Sequence, residues 1–160
     1  RFRHELDTDY LDIVLMHCVT AHSWNREAEG AMEALNEAKA RGLIRAVGIS
    51  AHSYAALETA VEEPWVQIML VRYNCDGIQM DGAPNRIRDL LQRAKNAGRG
   101  TIAMKVLGED KLASDPERAI RFVVETDCVD AMTIGYRSDT EMEQCVNIVK
   151  NLRKAGEGSL

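Results

Sequence analysis

Five apolar runs of strand length recur along the chain, at residues 13–16, 44–49, 65–71, 101–105 and 131–134, and a stretch of helical periodicity follows each. No other feature constrains the fold as much. Strands joined through helices rather than tight turns run parallel, because a parallel pair needs a long crossover. Such strands are covered on both faces and read as nearly continuous apolar runs, as these do. Two architectures satisfy the pattern: an open doubly wound sheet, or part of an eight-stranded barrel.

The helical stretches carry their own punctuation. Ala31, Leu35 and Ala38 are spaced for one helix face, and Gly42 stops that helix. Ser53 is placed to cap the next, with Tyr54, Leu57 and Val61 as its apolar side. Ile87, Leu90, Leu91 and Ala94 recur at i, i+3, i+4, i+7. Asp115-Pro116 supplies a cap and a first-turn proline before Ala119, Phe122 and Val123. Ser138-x-x-Glu141 is a capping box ahead of Met142, Val146, Val149 and Leu152. A polar loop at 75–84, with Asp76 and Asp81, is a candidate substrate lid.

No G-x-G-x-x-G or P-loop follows any run, which weighs against the open-sheet nucleotide binder. Polar residues suited to chemistry stand just after the runs instead: His17, Ser50, His52, Tyr73, Asn74, Lys105 and Arg137. In a barrel they ring the C-terminal mouth, where such enzymes keep their active sites. The expected fold class is therefore α/β of the (β/α)8 TIM-barrel type, incomplete here, with about five βα units of the eight. A whole barrel takes roughly 250 residues, against 160 in this chain.

A net charge of −5 gives no basic surface for nucleic acid, and no apolar run approaches a membrane span. The opening Arg1-Phe2-Arg3-His4-Glu5 has neither an initiator Met nor an apolar signal core, so the true N-terminus is expected upstream. Cys18, Cys75, Cys128 and Cys145 form no C-x-x-C pair and read as free thiols in a reducing cytoplasm, each a small buried hydrophobe. Trp24 and Trp65 read as packing residues, and Arg72 either reaches the mouth or snorkels outward.

Taken in order, these runs resemble the second half of the aldo-keto reductase family, in its bacterial form, from the fourth strand onward. Leu6-Asp7-Thr8-Asp9-Tyr10-Leu11-Asp12 with His17 is similar to that fourth strand. Lys39-x-x-Gly42-Leu43-Ile44-Arg45-Ala46-Val47-Gly48-Ile49-Ser50 is similar to the fifth and the helix before it. Tyr73-Asn74 resembles the end of the sixth, Ile102-Ala103-Met104-Lys105-Val106-Leu107-Gly108 the seventh, and Thr133-Ile134-Gly135-Tyr136-Arg137-Ser138 the eighth. The tail at 156–160 reads as frayed, and the likeness implies a partial barrel over 1–155 and NADP(H)-dependent reduction of a small aldehyde or ketone by hydride transfer.

Of the family's Tyr, Asp, Lys and His tetrad, the resemblance carries over only His17. The other three belong to the part of the barrel before Arg1, and Tyr10 and Asp12 precede the apolar run and do not replace them. The resemblance further implies cofactor contacts at Ser50, His52, Lys105, Gly108, Arg137 and Ser138. The Asn that follows the serine in relatives is Ala51 here, and the expected Gln falls near Leu70. A helix N-terminus after the last strand suits a phosphate, and Arg137 suits the 2′-phosphate as a bidentate donor. Arg72, Tyr73 and Asn74 are the expected substrate pocket.

Three other readings compete. His17, His22 and His52 follow adjacent strands and could share a metal, as in a barrel hydrolase. Lys105 could form a Schiff base if desolvated. Five strands alone leave open edges, so the chain could act by association, and without the tyrosine acid it is expected to be inactive by itself.

Overall fold

The structure, a computed structural model, describes residues 1–157, with side chains through residue 153. Its centre is one five-stranded parallel sheet formed by β1 (Leu11–Val19), β2 (Ile44–Ala51), β3 (Ile68–Arg72), β4 (Gly100–Met104) and β5 (Ala131–Met132). The strand order is sequential, β1-β2-β3-β4-β5. A doubly wound sheet reverses direction at a switch point. Here nothing reverses, so the sheet is the progression of a (β/α)8 barrel, incomplete at five strands.

The helices are α1 (Phe2–Glu5), α2 (Trp24–Glu27), α3 (Glu29–Ala40), α4 (Tyr54–Glu62), α5 (Pro84–Asn96), α6 (Pro116–Val124) and α7 (Asp139–Glu157). Ser53 accepts from Ala56 N–H at 3.1 Å and Asp115 from Arg118 N–H at 3.2 Å, so both expected caps are made. Ser138 Oγ accepts from Glu141 N–H at 3.2 Å, while the Glu141 carboxylate reaches back to Arg137 N–H at 2.8 Å. α7 runs through 156 and 157, where a frayed tail was expected; residues 158–160 lie outside the described residues.

Strand alternation divides the sheet into two unequal faces. Val47, Ile49 and Ala51 of β2, Met69 and Val71 of β3, and Ala103 of β4 are buried; all but Val47 join the core cluster with Leu57, Ile87, Leu90, Leu91 and Ile120 from the helices. Each large aliphatic side chain buried this way stabilises the fold by about 1.5–3 kcal/mol. The alternate residues Ile68, Leu70, Ile102 and Met104 are only half-buried, and Ile13 is 42% exposed. They line the inner side of the curved sheet. Gly48 lets β2 and β3 meet: a Cβ there would sit 1.9 Å from the Ile68 carbonyl oxygen.

Several boundaries differ from the sequence reading. β1 has nine residues and carries His17 within it rather than after it. β3 begins at Ile68, because Val66 N–H is already engaged in a turn to Glu63 O. β5 keeps two residues, although Thr133 N–H still bonds Ala103 O at 2.8 Å. On α3, Ala31 is exposed, and Met32, Leu35 and Ala38 are half-buried. No helix among the described residues is long and apolar enough to cross a membrane.

Candidate functional site

The C-terminal end of β1 is bent by a bulge. Met16 pairs with Ile49 and Val19 with Ala51, so two residues on β1, His17 and Cys18, oppose one on β2, Ser50. Cys18 takes up the difference with φ +58, an uncommon conformation for a non-glycine residue. The bend sets the His17 ring 6.0 Å from the His52 ring at 73°, and Cys18 Sγ lies 3.4 Å from His52 Nδ1. His52 N–H donates to Val19 O at 2.7 Å, locking the two strand ends together. Burial, then the Arg72 guanidinium, holds the His52 pKa below its ordinary value, favouring a neutral imidazole.

Ser50 stands on β2 two residues before His52 and is 1% exposed. Its Oγ has no hydrogen-bond partner among the described residues. A buried hydroxyl without a partner costs about 1–3 kcal/mol and invites an acceptor. On β3, Arg72 resolves between its two expected directions: it turns to Asp81 in a fork of Nε to Oδ2 at 3.1 Å and Nη2 to Oδ1. The Asp81 side chain is 3% exposed and that of Arg72 16%.

The structure corrects two pocket assignments. Tyr73 is fully buried on the helix side, its ring 5.0 Å from Phe122 and its hydroxyl 3.4 Å from Thr126 Oγ1. The strand parity that points Arg72 inward sends Tyr73 outward. Asn74 is also fully buried, and its amide is consumed by the backbone: Nδ2 donates to Ile78 O and Lys105 O, and Oδ1 accepts from Asp76 and Ile78 N–H. It organises the 75–84 loop instead of facing substrate. That loop is tied further by Asp76, which takes a fork from Arg118 at 2.9 and 2.8 Å; the guanidinium holds the Asp76 carboxyl below the usual range.

The other end of the mouth is a cleft of about 370 Å³ between the 105–110 turn and the start of α7, lined by Lys105, Leu107, Asp110, Gly135, Tyr136 and Arg137. The turn is unusual. Lys105, Glu109 and Asp110 have φ of 58, 54 and 72, and Gly108 has φ +56. Gly108 could not be replaced easily, since a Cβ would lie 3.0 Å from Ile78 Cδ1 and 3.2 Å from Leu112 Cγ. Lys105 Nζ pairs with Glu109 at 2.6 Å and pulls that carboxyl's pKa down. Arg137 is exposed, 3.2 Å from Glu141 and 3.6 Å from Asp110, and Ser138 is spent on its cap.

Two competing chemistries fit poorly. His22 Nδ1 is 2.9 Å from Thr59 Oγ1 on the α4 side, so the three histidines do not converge. Among the described residues no group of three His, Cys, Asp or Glu side chains is placed to share a metal ion. Lys105 is 38% exposed and held by a carboxylate, the opposite of a desolvated Schiff-base lysine. Trp24 and Trp65 pack together at 6.5 Å, as expected. A cavity of about 600 Å³ between α6, β5 and α7 touches none of the mouth histidines.

A sequence model of the aldo/keto reductase family matches residues 1–125. The chain belongs to the aldo/keto reductase family. Solved structures agree with that fold. PA4992 of Pseudomonas aeruginosa, assigned to the aldo-keto reductases, superposes with a TM-score of 0.72 at 21% identity, over 94% of this chain and 54% of its own. The holo form of aldo-keto reductase AKR11C1 from Bacillus halodurans gives 0.73 at 18% identity, over 92% and 56%. The chain thus spans about half the length of the family structures it matches. Comparison with the curated proteins finds no match.

Sequence reasoning missed the Cys18–His52 contact and the Arg72–Asp81 pair. The first depends on a bulge in a run without glycine or proline, which leaves no sequence signal. The second was within reach, because Asp81 follows a strand that ends in an inward-parity arginine in need of a partner.

Proposed function

We propose that the chain is the second half of a cytoplasmic reductase barrel that converts an aldehyde or ketone to an alcohol with NADP(H). The observation that supports this most is that Ser50, whose buried hydroxyl lacks a partner among the described residues, stands on β2 opposite the β1 bulge that carries His17. An amide oxygen, such as that of a nicotinamide carboxamide, answers that hydroxyl's need for an acceptor. The residues present therefore fit the nicotinamide end. When bound, the cofactor supplies the hydride.

His17 orients and polarises the substrate carbonyl from β1, and His52, kept neutral, closes the mouth beside Ser50. Arg72, already forked to Asp81, forms a wall of the pocket rather than a free anchor for a substrate carboxylate. Lys105 and Arg137 would hold the phosphates across the cleft that Gly108 and Ser138 shape. Arg137 must then exchange Asp110 and Glu141 for phosphate oxygens, which favours a ligand of high negative charge such as a 2′-phosphate. In isolation the 160-residue chain is inactive and self-associates through the unpaired edges of β1 and β5.

The test is His17→Ala in the full-length protein. Carbonyl reduction with NADPH falls by about 10²–10⁴-fold, the usual worth of a positioned proton-handling group. Unchanged turnover in that variant sinks the reading.

A further inference from the structure

We propose that Cys18 and His52 form a thiol–imidazole pair that captures α,β-unsaturated aldehydes or ketones as covalent adducts at the barrel mouth. Three observations lead there. Cys18 is the exposed cysteine of the four; Cys75 is half-buried, and Cys128 and Cys145 are buried. Its Sγ stands 3.4 Å from His52 Nδ1 because the β1 bulge turns it there. Beside that pair lie two groups that can donate to a carbonyl oxygen: the His17 ring, 6.0 Å from His52, and the buried Ser50 hydroxyl, which no residue described in the structure satisfies.

The chemistry needs a soft electrophile carrying an oxygen acceptor, and a conjugated carbonyl compound is both. His52 Nδ1 takes the thiol proton as Cys18 sulfur bonds to the β-carbon. The carbon–carbon π bond breaks, and its electron pair moves to the carbonyl oxygen as an enolate, stabilised by Ser50 or His17. His52 then returns the proton to the α-carbon. The product is a saturated carbonyl thioether, with no oxidant or reductant consumed. The other cysteines lack this arrangement, and burial pushes the thiols of Cys75, Cys128 and Cys145 up in pKa, away from the reactive thiolate. The capture does not depend on hydride transfer by this chain.

The experiment exposes the full-length protein to trans-2-hexenal, with hexanal as the saturated control, and counts adducts by intact mass and peptide mapping. One adduct forms, on Cys18; hexanal leaves none. His52→Ala slows its formation by about tenfold or more. Labelling of several cysteines in that variant would report unfolding, and His52→Asn, which keeps a hydrogen bond to the thiol without a base, then gives the same slowing in a folded protein. First labelling on Cys75, or a wild-type rate in the folded His52 variant, overturns the proposal. Because mass is the readout, a failed reductase assay leaves this result standing, and the reverse holds too.

Discussion

Removing the Arg72 guanidinium should destabilise the protein far more than losing a surface ion pair. Arg72→Met leaves the Asp81 carboxylate, 3% exposed, without its two-point partner. Stranding one member of a buried pair costs about 3–5 kcal/mol. With a urea dependence of about 1–3 kcal/mol per molar, the unfolding midpoint falls by on the order of 2 M. The double variant Arg72→Met, Asp81→Leu removes both charges and refills the space, and should return to within about 1 kcal/mol of the parent. Urea unfolding followed by circular dichroism measures all four corners of the cycle. If Arg72→Met unfolds outright, recovery in the double variant still reports the coupling. A cost below about 1 kcal/mol, with no recovery in the double variant, would mean that the pair behaves like an exposed one and that the reasoning fails. A second readout is the imidazole next door: with Arg72 gone and Asp81 charged, the His52 pKa rises, visible in its ring proton shifts.

Gly48→Ala should cost about 3 kcal/mol or more, since the new methyl meets backbone at Ile68 and not a movable side chain; a thermal melt within a degree of the parent would contradict the close approach. The folded pKa of His52 lies below its ordinary 6.5, so between those values the unfolded chain binds more protons and stability rises with pH. The contribution is complete above about pH 6.5 and is lost as pH falls through the folded value. Melting temperatures measured across that window should slope upward with pH, and His52→Asn should flatten the slope.

The fold was legible because each local signal agreed with the others. Apolar runs placed all five strands, and Ser53, Asp115 and Ser138 cap the helices that the periodicity suggested. What the runs could not give was their two-sidedness: Tyr73 and Arg72 are neighbours in sequence and belong to opposite faces. Extending the parity of Met69 and Val71 by one step assigns Tyr73 to the helices, so that error came from reading strand ends as uniformly mouth-facing. Asn74 was misassigned for a different reason. A side chain that bonds four backbone groups looks, in sequence, like any polar residue after a strand. Ser50 was the reverse case, a modest serine whose environment gives it weight.

The stitching of the 75–84 loop has a kinetic consequence. Asn74 holds its base, Arg118 its first turn and Arg72 its far end. Opening it as a flap would break two forked ion pairs and a backbone-bonded amide together, so the event belongs with slow, cooperative openings and not with nanosecond loop motion. In hydrogen exchange, Asp76 and Ile78 amides should then be protected nearly as well as the strands they adjoin. The turn at 105–110, whose exposed Glu109 and Asp110 are held only by exposed ion pairs, should exchange faster than that loop.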